Sequence, residues 1–286
     1  MPPSLALVRT HWGWSGTWTD FCAQAVADGF TAVEAGAPDD PVERQTWLQV
    51  LRDHGLGLIL EVATGDWWIP QPERADQEHL DDISRACEAA ITCDAWFISA
   101  MLGYDAWSIA RSVEVIGRAQ EIAAEHGITL SVETHRGRSL CNPWQTQAIL
   151  EQLPDLPVTA DFSHWVVVCE RLLVGCEEAL ARVFQQVHHV HCRLGHEQAP
   201  QVADPSARRH EARLGVFTGW WRSCWDSMAA RDYQRITMNP EFGTDGYQPF
   251  QARRDVPLVD LSLNIRWMAG HVRQQYRDWV ENLQHV

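Results

Sequence analysis

The chain has 286 residues, 45% of them apolar, and a formal charge of −15; this length suits one large domain, and barrels of alternating strands and helices run to about 250 residues. No apolar run approaches the ~18 residues of a membrane span, and so acidic a chain is a poor match for a nucleic-acid backbone. All 23 cationic side chains are arginines and none is lysine, which excludes Schiff-base chemistry and a lysine general acid.

The first ten residues lack the charged, apolar and small-residue segments of a secretory signal, and the eight cysteines are scattered without a CxxC pair. Both features lead to the expectation of a reduced, cytoplasmic protein.

Short β-rich runs alternate with longer amphipathic stretches, the mark of parallel strands with helical crossovers. The first run, 5–9, leads through Trp12 and Trp14 to a helix at 18–28; the second, 32–35, carries Glu34 and precedes a helix at 41–54. Strand 57–62 holds Glu61, and beyond Trp67 and Trp68 come a helix at 72–90, a strand at 95–100 and a helix at 107–126. Strand 129–134 contains Glu133, with His135 just past it, and a helix follows at 143–152. Strand 158–161 ends on Asp161, and His164 falls in the loop that leaves it, ahead of a helix at 176–186 and with Trp165 beside it. Strand 188–193 holds His191 and Arg193; the polar, proline-bearing stretch 194–218 then reads as a long loop over the active face, before a helix at 219–231. Strand 235–240 runs into Glu241, and a helical region from 257 to 283 ends the pattern.

Eight such units predict an α/β fold, a (β/α)8 TIM barrel forming a single domain over 1–286. Gly29, Gly55 and Gly127 mark helix ends, and Pro41, Pro72 and Pro143 mark helix starts.

Glu133, Asp161, His191 and Glu241 share one feature: each ends an apolar run that would bury it, where an unpaired carboxylate or imidazole is costly. The intervals of 28 and 30 residues between the first three equal about one strand-plus-helix unit, and the last, of 50, leaves room for an inserted loop. In a barrel of this kind all four fall at the C-terminal mouth, where one divalent cation would satisfy them together. Two glutamates, an aspartate and a histidine suit Mn²⁺ first, and also Mg²⁺, Co²⁺, Fe²⁺ or Zn²⁺. Period-two alternation puts His135 on the face of Glu133 and Arg193 on the face of His191.

Around this set the readings divide. Glu34 and Glu61 suit either a substrate hydrogen bond or a salt-bridged rim; Arg136 and Arg138 suit either an anion or solvent. His11, His54 and His126 read as surface or capping residues, and His189 lies two residues deeper than His191. Trp12, Trp14, Trp67, Trp68 and Trp165 follow strand ends, where indoles either pack between helices and barrel or stack on a sugar.

On the Asp161-Phe-Ser-His164 and His189-Val190-His191 patterns and the strand-end acids, the chain resembles the xylose isomerase-like superfamily, or sugar phosphate isomerase/epimerase group, along nearly its whole length. The resemblance implies a metal held by Glu133, Asp161, His191 and Glu241, with His164 and Arg193 on substrate oxygens. Two branches fit less well. Xylose isomerases need a second metal and a lysine; endonuclease IV needs extra histidines, including an Asp-x-His where this chain has Asp204-Pro205-Ser206.

The expectation is a metal-dependent sugar or polyol isomerase or epimerase, with Glu133 and Glu241 as catalytic acid and base through an enediolate, and with His164, Arg193, His135, Glu61 and Trp14 on the substrate. A lyase or dehydratase on the same site is the alternative, and a non-catalytic polyol-binding barrel the third. The expected partner is a small sugar or polyol, with no nucleic acid and no membrane; tryptophans on outer helices would favour a homodimer.

Overall fold

The computed structural model describes residues 2–65, 69, 71–244, 246–250 and 257–283. Among them eight parallel strands close into a barrel in sequence order. These are β1 (Ser4–Thr10), β2 (Ala32–Ala35), β3 (Gly57–Ala63), β4 (Phe97–Met101), β5 (Leu130–Glu133), β6 (Val158–Ala160), β7 (Val187–His191) and β8 (Arg235–Asn239), with β1 pairing β8. Helices α1 (Trp18–Ala27), α2 (Pro41–Asp53), α3 (Asp76–Thr92), α4 (Ile109–Glu125), α5 (Pro143–Gln152), α6 (Phe162–Cys169), α7 (Glu177–Gln186), α8 (Glu211–Ala230) and α9 (Leu261–Leu283) lie between and after them. None is long and apolar enough to cross a membrane.

Parallel strands are covered on both faces, which is why β2, β4, β5 and β6 are buried at every residue. One face carries the large core under the helices, including Val33, Leu58, Leu60, Ile98, Val132, Val190 and Met238. A second, small cluster of Val8, Ala32, Ile59 and Phe97 packs apart from it. Above that cluster hydroxyls link three strands: Thr159 Oγ1 donates to Ser131 Oγ at 2.8 Å and lies 3.1 Å from Ser99 Oγ.

The helices begin where local chemistry satisfies their first amides. Asp40 accepts from Val42 and Glu43 ahead of Pro41, and Asn142 accepts from Gln145 ahead of Pro143. Gly29, Gly55 and Gly127 all have positive φ after their helices, as the sequence predicts. All eight cysteines are free, and seven are buried.

Three boundaries depart from the sequence reading. Pro72 precedes α3, which starts only at Asp76. The run after Asp161 is helix α6 rather than a loop, because the Asp161 side chain caps it by accepting from Ser163 N. The expected loop at 194–218 is helical from Glu211 onward, preceded by a 3-10 turn, Arg208–His210. Of the tryptophans expected on outer helices, Trp144 on α5 and Trp267 on α9 are exposed.

A register shift falls between Val158 and Thr159, so that Val158 opposes Val187 and Thr159 opposes His189. His188 is the residue skipped on β7, and its Nδ1 meets Tyr233 Oη at 2.8 Å beside the Phe97 ring. Burial, with His189 and Arg231 nearby, pushes His188 down to about 4. An unfolded histidine takes up its proton near 6.5, the folded one only near 4, so the unfolded state binds more protons between them and stability falls as pH drops through that window. The loss reaches about 3 kcal/mol at its acid end. His188→Leu is expected to flatten the decline of unfolding free energy between pH 7 and pH 4.5; denaturant titrations with the same slope in both proteins would refute this origin.

Candidate active site

The strand ends bring the acids together. Glu133 is the last residue of β5, Asp161 follows β6, His191 ends β7, and Glu241 lies two residues past β8. One ligand atom from each of the four falls within 4.8 Å of the others, and all four residues are buried. His191 Nδ1 lies 3.2 Å from Glu241 Oε2 and 3.5 Å from Glu133 Oε1.

Beneath them is Glu34, 1% exposed. It is ion-paired, but at the barrel's centre rather than its rim, and it is not in the lining of the cavity above. Its carboxylate takes His191 Nε2 at 3.0 Å, His189 Nε2 at 3.0 Å and Asn239 Nδ2 at 2.7 Å. The other nitrogen of His189 meets Thr237 Oγ1 at 2.7 Å. A carboxylate on one imidazole nitrogen fixes the ring and turns the other toward the mouth, the relation found behind metal-ligating histidines. Burial works to raise Glu34, yet His191 and His189 hold it well below the usual carboxylate range. His191 moves the opposite way: against the cost of burial, Glu34, Glu241 and Glu133 lift it well above the usual imidazole value.

The donor set fits a divalent cation. Three carboxylates and an imidazole make an oxygen-rich group, and His191 Nδ1 and Glu241 Oε2 are buried with ion-pair contacts but no well-aligned hydrogen bond among the described residues. Arg193 meets part of the demand. Its Nη2 donates to Asp161 Oδ2 at 2.5 Å, its Nη1 lies 3.3 Å from Glu241 Oε2, and its Nε donates to Ser163 Oγ. Asp161 thus shares one oxygen with a guanidinium, while the other caps α6. The two glutamates differ sharply. Burial pushes Glu133 up to about 7 despite His191, whereas Arg193 and His191 overcome burial and bring Glu241 down to about 2.

A cavity of about 290 Å³ opens above this group, lined by Glu61, Glu133, His135, Arg193 and Glu241, with His11, Trp12, Met101 and Tyr247 in its walls. Glu61 is pushed up to about 8 by burial and then by the charges of Glu34, Glu241 and Glu133. His135 Nδ1 donates to Arg136 O at 2.6 Å, which leaves Nε2 as an acceptor; burial, Arg138 and Arg193 hold the ring neutral, down to about 3. Trp12 meets Tyr247 edge to face at 4.9 Å. Its indole lies so close to Gly243 that a Cβ there would come within 2.1 Å of the ring, so only glycine fits.

Other sequence expectations are corrected. Trp14 does not line the cavity: its indole N–H donates to Thr17 O and its ring packs on Phe21. Trp165 is core, donating to Leu140 O, and Trp67 and Trp68 lie outside the described residues. His164 is fully buried on α6, away from the cavity lining, with Nε2 2.7 Å from Arg193 Nη2 and its ring 3.9 Å from that of His135. Arg138 is buried and donates to Thr64 O at 2.6 Å; Arg136 lies over the Tyr247 ring. His54 and His126 do cap their helices, bonding Val50 O and Ile122 O. His11, expected at the surface, lines the cavity one residue past β1, and Tyr247 has no local signal in its glycine-bearing loop.

A closed parallel barrel with an acid and histidine group at its C-terminal mouth defines the class of fold, and the sequence places the chain within one family of it. Residues 22–260 match the family model of the xylose isomerase-like TIM barrel, and the chain belongs to that family. No curated protein sequence matches it. Among solved structures it is similar to a xylose isomerase domain protein from Planctomyces limnophilus, at TM-score 0.64 and 14% identity over 100% of this chain and 99% of that one. It is also similar to D-psicose 3-epimerase from Clostridium cellulolyticum H10, at TM-score 0.63 and 14% identity over 95% of this chain and 98% of that one. A third is 3-keto-D-glucoside 4-epimerase from E. coli, at TM-score 0.61 and 14% identity over 95% of this chain and 99% of that one. Likeness at this identity concerns the fold alone.

Replacing Glu34 by Gln tests the role of the buried carboxylate. The variant is expected to fold but to bind Mn²⁺ or Co²⁺ about 10- to 100-fold more weakly in calorimetric titration. Unchanged affinity would show that His191 does not depend on Glu34.

Proposed function

We propose that the protein is a divalent-metal-dependent isomerase or epimerase of a sugar or keto-polyol, working by proton abstraction beside a carbonyl. The observation that carries this reading is the convergence of Glu133, Asp161, His191 and Glu241 within 4.8 Å beneath a cavity whose wall includes Glu133 and Glu241. Those four residues would hold the cation, Mn²⁺ first among the ions that suit them. When bound, a divalent cation polarises a carbonyl and acidifies the neighbouring C–H.

The remaining chemistry belongs to the side chains. Glu133 and Glu241 reach the substrate from β5 and from the segment after β8, with two strands between them. One carboxylate removes the proton, and the other returns one to the opposite face, which inverts that carbon. His135 Nε2 accepts from a substrate hydroxyl, and Arg193 faces the same cavity. The cavity volume is at the small end of small-molecule sites, which run from about 300 to 1,000 Å³. Trp12 and Tyr247 give it apolar walls suited to the C–H face of a sugar.

Elimination shares the first step and then needs an acid for the leaving hydroxyl. Burial and neighbouring cations keep His135 and His164 neutral, so neither suits that role. Glu61, raised to about 8 and lining the cavity, does, and it is the observation that keeps a dehydratase in view.

Glu133→Gln and Glu241→Gln are each expected to lower turnover at least about 100-fold while leaving circular dichroism unchanged. Metal-loaded protein incubated with ketoses in D₂O should catalyse deuterium uptake, chelation should abolish it, and added Mn²⁺ or Co²⁺ should restore it. Full exchange after exhaustive EDTA dialysis, or full activity in both variants, would defeat the reading. Ligand binding without any C–H exchange would instead support a polyol-binding barrel.

A further inference from the structure

A second cavity, of about 570 Å³, adjoins the first and shares Tyr247 with it. It is lined by His196, Arg209 and His210 from the segment between β7 and α8, and by Arg213 in the first turn of α8. Four cationic or imidazole groups facing one cavity are notable in a chain of net charge −15.

The cluster has more donors than acceptors. Arg209 donates Nε to His210 Nε2 at 3.2 Å, and its two Nη groups meet no acceptor among the described residues. Arg213 sends Nη2 to Glu197 at 2.8 Å and Nη1 toward His210 Nδ1 at 3.1 Å, while its Nε is buried with no partner among the described residues. His210, 7% exposed, therefore has a guanidinium N–H directed at each ring nitrogen. A neutral imidazole has only one acceptor nitrogen, so one of these contacts sets donor against donor. His196 Nδ1 accepts from Gln198 N at 3.2 Å, which leaves the ring's N–H on Nε2, again without a protein acceptor among the described residues. Two carboxylates act on the cluster. Glu197 is engaged by Arg213, and Asp204 Oδ1 by the amide and hydroxyl of Ser206. Gln201 cannot help, because its amide is spent on the backbone of Gly243. The region has a surplus of N–H groups around an open volume, and an oxyanion is the ligand that would use them.

We propose that this second cavity is an anion subsite that receives the terminal phosphate or carboxylate of the substrate whose carbonyl end occupies the first cavity. The proposal rests on the isomerase reading for the second half of that statement only. Anion binding stands on the donor geometry. The substrate class narrows accordingly, to sugar phosphates or sugar acids that reach past the Tyr247 ring.

The first measurement is calorimetric titration of the full chain with inorganic phosphate, which needs no turnover. Wild type is expected to bind, and Arg209→Gln, at an exposed residue outside the core, to bind at least tenfold more weakly with an unchanged melting temperature. Absence of binding, or equal binding in wild type and Arg209→Gln, overturns the subsite. The second compares a 2-ketohexose, its 6-phosphate and the corresponding ketouronate in the D₂O exchange assay. An anionic substrate is expected to have a KM at least tenfold below the neutral ketose, and Arg209→Gln to remove that advantage. Equal KM values for all three, with phosphate still bound, would assign the site to a free anion and overturn the substrate class. Loss of phosphate binding in Arg209→Gln with no exchange on any sugar supports the subsite and defeats the isomerase reading instead.

Discussion

A single carboxylate at the centre of the barrel, Glu34, decides how the mouth is built. It joins β2 to β7 and β8 through His191, His189 and Asn239, which are 157, 155 and 205 residues away in the chain. A lone charge in that position would be prohibitively costly, and it is tolerated because three donors surround it. The arrangement has a direction. With Nε2 committed below, the imidazole of His191 can present only Nδ1 above, toward Glu133 and Glu241. The geometry of the mouth is therefore inherited from a carboxylate buried beneath it.

Arginine does the bracing that this acid-rich mouth requires. Arg193 holds Asp161 and Glu241 while its face lies near the Tyr247 ring, 5.0 Å from its centroid. Arg138, 0% exposed, reaches from the loop after β5 to the Thr64 carbonyl beyond β3. Both roles use a planar fork with several fixed N–H directions, which an ammonium group does not supply. The lysine-free composition and the construction of the site are consistent with each other in this respect.

Much of the architecture was legible in the sequence, because parallel strands buried on both faces produce apolar runs and their helices carry local caps. The strand-end rule likewise groups Glu133, Asp161, His191 and Glu241, which converge at the mouth. What escaped depended on ring closure or on a residue with two jobs. Asp161 belongs to the acid group and also caps α6, so the apolar run FSHWVVVC behind it read as loop. The first eight residues of α8 follow directly on a polar, proline-bearing stretch and have no side-chain cap to mark their start, so they read as more of the preceding loop. Glu34 looked like a rim acid because nothing local reveals that β2 and β7 face each other across the interior. His11 and Tyr247 follow strands with no periodicity to mark them. Trp14, two residues beyond Trp12, turns away because its indole bonds the start of α1.

Gln201 grips Gly243 at both backbone groups, with Nε2 on the carbonyl at 3.1 Å and Oε1 under the amide at 2.9 Å. This two-point clasp fastens the outer loop after β7 to the segment two residues from Glu241. Drift, insertion or deletion in that loop is therefore transmitted to the barrel mouth unless the clasp is kept. A change of side chain within that loop leaves this frame in place, whereas a change of its length does not.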